Sequence, residues 1–125
     1  MAKQTGRQGD VTTEKLVQSD CAWNGSPYES YPQGRPQLTV MKMTIPAHTL
    51  LPWHSHPMPN AAYIISGQLI LEDKQTGNTR VVKAGMAFNE STGEIHRGYT
   101  TEQPAEVVIT YAGVAGMTLS EPSAY

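Results

Sequence analysis

His54 and His56 stand one residue apart, and His96 follows forty residues after His56. Three of the chain's four histidines thus fall in two short segments. Neutral imidazole is the commonest metal-binding side chain. In an extended strand, residues i and i+2 point to one face, so His54 and His56 present both rings to one side, about 6–7 Å apart along the backbone. A divalent ion needs three or four ligands, and His96 is the histidine of a second extended segment that can supply the third. The same parity carries Asn60 to that face, provided the strand stays regular past Pro57 and Pro59. Its amide offers a neutral oxygen, a weaker ligand than a carboxylate, so Asn60 reads either as a ligand or as a hydrogen-bonding wall. Glu94 lies two residues before His96 and shares its face in a regular strand. Glu90 does so by parity as well, although the turn at Ser91, Thr92 and Gly93 interrupts the register. A solvent-exposed loop position is the expectation for both glutamates. His48, just after Pro46, reads as a surface or structural turn residue. Spacing alone leaves open whether the His-X-His pair binds metal or serves the surface or core.

The segments that carry these residues read as short strands. Residues 38–45 are rich in β-branched and apolar side chains and stop at Pro46. Residues 49–56 form a second extended run, with Pro52 near its start. Runs at 61–66 and 68–72 flank Gly67, which predicts a kink or bulge. Thr76-Gly77 marks a hairpin loop within 74–78. Residues 80–83, 86–89, 95–99, 107–112 and 117–119 complete the set. Short strands at close spacing, with turn signals between them, predict an all-β sandwich or barrel. Upstream, residues 1–10 read as a flexible polar tail, 11–18 as an edge strand or short helix, and 21–37 as a loop covering one end of the barrel. The aromatics Trp23, Tyr28 and Tyr31 are expected to pin that loop. Met41, Met43 and Ile45 share one strand face and, with Met86 and Phe88, read as a soft apolar wall or as ordinary core. Tyr63 and Tyr99 are open to ligand contact or to packing. Trp53 is expected to face away from the histidine pair.

The bulk composition bounds the function. At 125 residues, 38% hydrophobic and 16% charged, the chain fits one globular domain with a modest core. A net charge of −2, with no basic stripe, gives a nucleic-acid role little support. The single cysteine, Cys21, excludes an internal disulfide and suits a reducing compartment. No apolar run is long enough to span a bilayer, and the N-terminal stretch does not read as a secretory signal. The expectation is a cytoplasmic protein without a membrane partner.

Two motifs sharpen this reading. His54-Ser55-His56, three residues, Asn60, six residues, Gly67 resembles the first motif of the cupin superfamily, in which a His-X-His pair is followed by a glutamate and a glycine. Gly85, five residues, Ser91-Thr92-Gly93, two residues, His96, three residues, Thr100 resembles the second motif. The resemblance covers residues 38–112, and the short stretch between Gly67 and Gly85 resembles that of small single-domain bacterial cupins. It implies a double-stranded β-helix, or jelly-roll barrel, over residues 11–125. It also implies a metal site built from His54, His56 and His96, with Asn60 standing where the family has its glutamate ligand. Other departures are His48 for the opening glycine, Ser91 for proline and Thr100 for asparagine. Three imidazoles and an amide leave the ion its full positive charge, which suits an anionic bidentate ligand. Iron, manganese, nickel and zinc are the candidate ions, and nickel and zinc tolerate a histidine-rich site best.

The functions implied are a metal-dependent dioxygenase or isomerase acting on a small organic molecule, with Asn60 or Glu94 as catalytic candidates, or a non-catalytic ligand-binding or sensor barrel. Exposed sheet edges predict a homodimer, with residues 11–18 as a candidate exchanged strand.

Overall fold

The computed structural model describes residues 9–123 and contains no helix among them. The tail read over residues 1–10 lies, for residues 1–8, outside the described residues. Nine strands follow in order: β1 (Pro36–Ile45), β2 (His54–Ser55), β3 (Asn60–Ser66), β4 (Gln68–Asp73), β5 (Thr79–Lys83), β6 (Ala87–Glu90), β7 (His96–Tyr99), β8 (Ala105–Val114) and β9 (Glu121–Pro122). They form two antiparallel sheets, β1-β8-β3-β6 and β5-β4-β7-β2-β9. Apart from the β4–β5 hairpin, each connection carries the chain from one sheet to the other. This is the winding of a jelly-roll barrel.

The sheets close on an apolar core because the strands alternate. In β3 the burial alternates residue by residue, with Asn60, Ala62 and Ile64 inward and Tyr63 and Ile65 outward. β4 buries Leu69, Leu71 and Asp73 in the same rhythm. Ile45, Met58, Ile64, Leu71, Val82 and Val107 are the largest fully buried side chains. At about 25 cal/mol per Å² of apolar surface, such residues contribute roughly 1.5–3 kcal/mol each.

Gly67 makes the crossing from β3 to β4 possible. Its φ is +73°, and a Cβ there would stand 1.9 Å from the Pro104 carbonyl oxygen. Only a residue without a side chain fits a left-handed backbone pressed against another peptide. The β3–β8 register shifts between Ile64 and Ser66, which gives the irregularity expected at this glycine.

Several expected elements differ. Residues 11–18 form neither strand nor helix, and Val11, Leu16 and Val17 are exposed. The run at 49–56 is strand only at His54–Ser55, with one isolated bridge from Leu50 to Tyr99. Pro46, Pro52 and the left-handed backbone at His48 (φ 55°) keep the rest irregular. Residues 117–119 are not strand; the last pairing falls at β9, against β2. Tyr31 is largely exposed, whereas Trp23 packs on the core and the Tyr28 hydroxyl donates to the Glu90 carbonyl at 2.8 Å.

Candidate metal centre

The three histidines meet at one end of the barrel. His54 of β2 lies directly opposite His96 of β7 in the sheet register. His56 follows just past the end of β2. The ring centroids are 4.9 Å (His54–His56), 4.6 Å (His54–His96) and 5.0 Å (His56–His96) apart. One ring nitrogen of each lies within 4.8 Å of the others.

Backbone carbonyls set the direction of every ring. His54 Nδ1 bonds the Pro52 carbonyl at 2.9 Å, His56 Nδ1 the Leu119 carbonyl at 2.8 Å, and His96 Nδ1 the Glu94 carbonyl at 3.1 Å. A carbonyl can only accept, so each Nδ1 carries the hydrogen and donates it. The lone pair of each neutral ring is then on Nε2. His56 Nε2 and His96 Nε2 are buried without a hydrogen-bond partner. Three rings locked in one tautomer, with their lone pairs turned inward, form the donor set that a divalent ion takes. The residues therefore fit the metal that the two motifs imply.

Facing this set across the barrel is a row on the other sheet. Asn60 of β3 pairs with Glu90 of β6 on one side and with Tyr111 of β8 on the other. Directly opposed residues share a face, and all three are buried. Glu90 Oε1 lies 3.1 Å from His56 Nε2, and Oε2 lies 3.2 Å from His96 Nε2. Glu90 is thus a buried residue, 9% exposed, and the expectation of an exposed loop glutamate is corrected. Strand β6 extends to Glu90 because the preceding loop clamps it. Trp23 N–H donates to the Asn89 carbonyl, and the Asn89 amide donates to the Cys21 carbonyl and the Tyr28 hydroxyl. The only signal in the sequence was the odd parity of a charged residue at an inward position of a strand. Glu94 sits elsewhere: its carboxylate accepts from Asn24 Nδ2 at 2.8 Å and from the Ser26 hydroxyl at 3.1 Å. The Asn60 amide is 5% exposed, and neither its oxygen nor its nitrogen has a partner.

These surroundings shift the titrations. Burial lowers the His54 value below its usual 6.5, and the neighbouring His96 adds to this. Burial also works to lower His56, but the facing Glu90 carboxylate outweighs it, so His56 is raised. Glu90 is pulled well below the carboxylate range: burial opposes this, and His56 and His96 overcome it. Tyr111 is pushed up to about 12, first by burial and then by the charge of Glu90. Its hydroxyl keeps its proton at neutral pH.

A cavity of about 290 Å³ opens beside the histidines. Met41, Met43, Ile45, Phe88, Val107 and Ile109 supply its apolar wall, and His54, His56, Glu90 and Tyr111 its polar end. The methionine wall read from the sequence is in place, except that Met86 is turned out to solvent. A larger cleft, about 520 Å³, runs between residues 17–31 and the first sheet; Asn60 and Tyr111 help to line it, but none of the three histidines does, nor does Glu90. Its size therefore says little about the chemistry. Trp53 faces away from the site, under the Arg97 guanidinium at 4.0 Å and the Lys74 ammonium at 4.9 Å. Thr100 ties the loop before β2 through the Pro46 carbonyl at 2.6 Å and the Thr49 N–H at 3.0 Å.

A jelly-roll barrel with three convergent histidines at one end defines a class, and comparison with known proteins agrees. Residues 41–111 match the family described as the cupin domain, and the chain belongs to that family. Among solved structures it resembles the DMSP lyase DddQ from Ruegeria pomeroyi DSS-3, at 20% identity and a TM-score of 0.62, over 79% of this chain and 47% of that one. It resembles the polyketide cyclase RemF from Streptomyces resistomycificus at 17% identity and a TM-score of 0.62, over 74% and 63% of the two chains. A cupin-like protein from Thermotoga maritima matches at 16% identity and a TM-score of 0.59, over 69% and 64%. The chain spans less than two thirds of each of these relatives. At such identities the likeness is one of fold. No curated protein matches the sequence. Among the described residues, no helix is long and apolar enough to cross a membrane.

Proposed function

We propose that this cupin holds a divalent metal ion on His54, His56 and His96 and takes a small, largely apolar organic molecule into the adjoining cavity. The observation that carries this reading is the common tautomer. Three Nδ1 donors are anchored on backbone carbonyls, which leaves three Nε2 lone pairs for one ion. The candidates are iron, manganese, nickel and zinc. When bound, the ion supplies a Lewis acid and a template for an oxygen-bearing ligand.

The chain's own residues do the remainder. The apolar wall seats the organic body and excludes water. Tyr111, protonated at neutral pH, donates a hydrogen bond to a ligand oxygen. Glu94 is committed to Asn24 and Ser26 and ties down the covering loop, so in this reading it moves no proton. A metal-dependent dioxygenase or isomerase is the enzymatic form of the proposal. Two of the neighbours are named a lyase and a cyclase. Reactions this diverse on one barrel support the scaffold and no single chemistry. One observation favours the non-catalytic alternative, a ligand-binding or sensor barrel. Glu90 is the sole carboxylate among the described residues lining the cavity, and it is already engaged by two histidines. The reading also includes a homodimer, with residues 11–18 as the exchanged segment.

Metal analysis of protein purified without a histidine tag tests the proposal. The parent is expected to hold about one ion per chain, His96→Ala to lose it and His48→Ala to keep it. Equal retention in the two variants would defeat the assignment. With Fe(II) supplied, oxygen uptake on diketones, thiols and phenols separates the dioxygenase from the binder.

A further inference from the structure

We propose that Glu90 is the carboxylate ligand of this centre and that Asn60, facing it across the strand pair, is its uncharged hydrogen-bonding partner. The inference rests on the three histidines holding a metal, and it adds the fourth side chain and its support.

Each Glu90 oxygen meets a different imidazole, at 3.1 and 3.2 Å, and each contact is to Nε2. The Nδ1 hydrogens of those rings are spent on the Leu119 and Glu94 carbonyls. A neutral ring would therefore turn a lone pair toward a carboxylate oxygen, acceptor against acceptor. Such a contact holds only with a cation in the gap. A proton on Nε2 serves one ring; a divalent ion serves both rings, and His54 as well. The distances agree with this. Two ligand atoms each about 2.1 Å from one ion stand about 3.0–3.4 Å apart at octahedral to tetrahedral angles. A carboxylate also brings the ion's charge down toward neutrality, as a buried site requires.

Asn60 points the same way. It sits opposite Glu90 in the register and on the same inward face. Its amide is enclosed, and both of its polar atoms lack partners. Leaving a buried amide unpaired costs about 1–3 kcal/mol. The described residues hold four such buried, unpartnered side-chain atoms: two on Asn60, one on His56 and one on His96. Those of His56 and His96 face the Glu90 carboxylate, and those of Asn60 sit on the residue paired with Glu90 in the register. An acceptor bound to a metal keeps outer lone pairs, and the amide N–H opposite can donate to one of them. A carboxylate at position 60 beside Glu90 would instead oppose two like charges across adjacent strands. The pair thus carries one acid and one amide, with the acid on β6 and the amide on β3.

Exchange of the two residues tests this. Co(II) binding to the tag-free, metal-stripped chain is followed by competition titration and by the d–d absorption, which reports the ligand set. Glu90→Gln is expected to weaken Co(II) binding by at least about tenfold and to change the absorption. The exchanged chain, Asn60→Glu with Glu90→Asn, is expected to return to within about threefold of the parent. Circular dichroism checks the fold of each. Should Glu90→Gln fail to fold, the exchanged chain decides alone, because it keeps the charge and composition of the pair. Parent-like affinity and spectrum in Glu90→Gln would overturn the proposal, as would an exchanged chain more than about tenfold weaker than the parent. A parent that binds no Co(II), or a His96→Ala variant that binds it fully, would instead overturn the histidine site on which the proposal stands.

Discussion

A histidine facing a glutamate inside a barrel makes stability depend on pH in both directions. Glu90 is lowered below its ordinary 4.5, so its contribution is full above that value and is lost as pH falls through the folded value. His56 is raised above 6.5, so its contribution is full below that value and is lost as pH rises through the folded value. The metal-free protein is therefore expected to gain most from this pair between about pH 4.5 and 6.5. Urea melts across pH would detect the optimum, and Glu90→Gln should flatten it; an optimum that persists in that variant would refute the pairing. The histidines were legible in the sequence because strand parity is simple: two residues apart means one face. Asn60 is buried in β3, as strand parity read it, even though prolines interrupt the run before it. Glu90 was misjudged because the turn at residues 91–93 hides how far β6 extends, and nothing local announces that Tyr28 and Trp23 clamp that strand end.

At the scale of elements, the crossing at Gly67 carries the chain from the first sheet to the second. β3 brings Asn60 in one sheet, and the next strand belongs to the other sheet. Gly67→Ala would force a side chain into the Pro104 carbonyl at a left-handed backbone. It is expected to cost about 3 kcal/mol, read as a lower urea midpoint at unchanged slope. A loss below roughly 0.5 kcal/mol, the range of ordinary surface changes, would mean the crossing tolerates a side chain. Most strands were legible from alternation and from the glycine and proline punctuation around them. The shortness of β2 was not, because its residues pair only where β7 and β9 reach them, and those partners are 40 residues away or more. The sequence placed a strand at 117–119, where the chain instead turns to deliver the Leu119 carbonyl to His56.

At the scale of the molecule, the first sheet turns an apolar outer face to solvent. Leu38 and Val40 of β1 are 80% and 69% exposed, and Tyr63 and Ile65 of β3 stand on the same outer side. Exposed apolar side chains grouped this way suit burial against a second copy. Light scattering is expected to give a dimer for the parent and a monomer for Val40→Glu. An unchanged mass in the variant would move the interface elsewhere.

The ring at position 56 takes its orientation from a peptide carbonyl 63 residues downstream. During translation that carbonyl is made after all three imidazoles have emerged. A nascent polypeptide that has reached Thr100 already owns every histidine of the centre, yet one of them is still free to spin. The proposed ion capture therefore waits on the docking of the segment that ends in β9 beside β2.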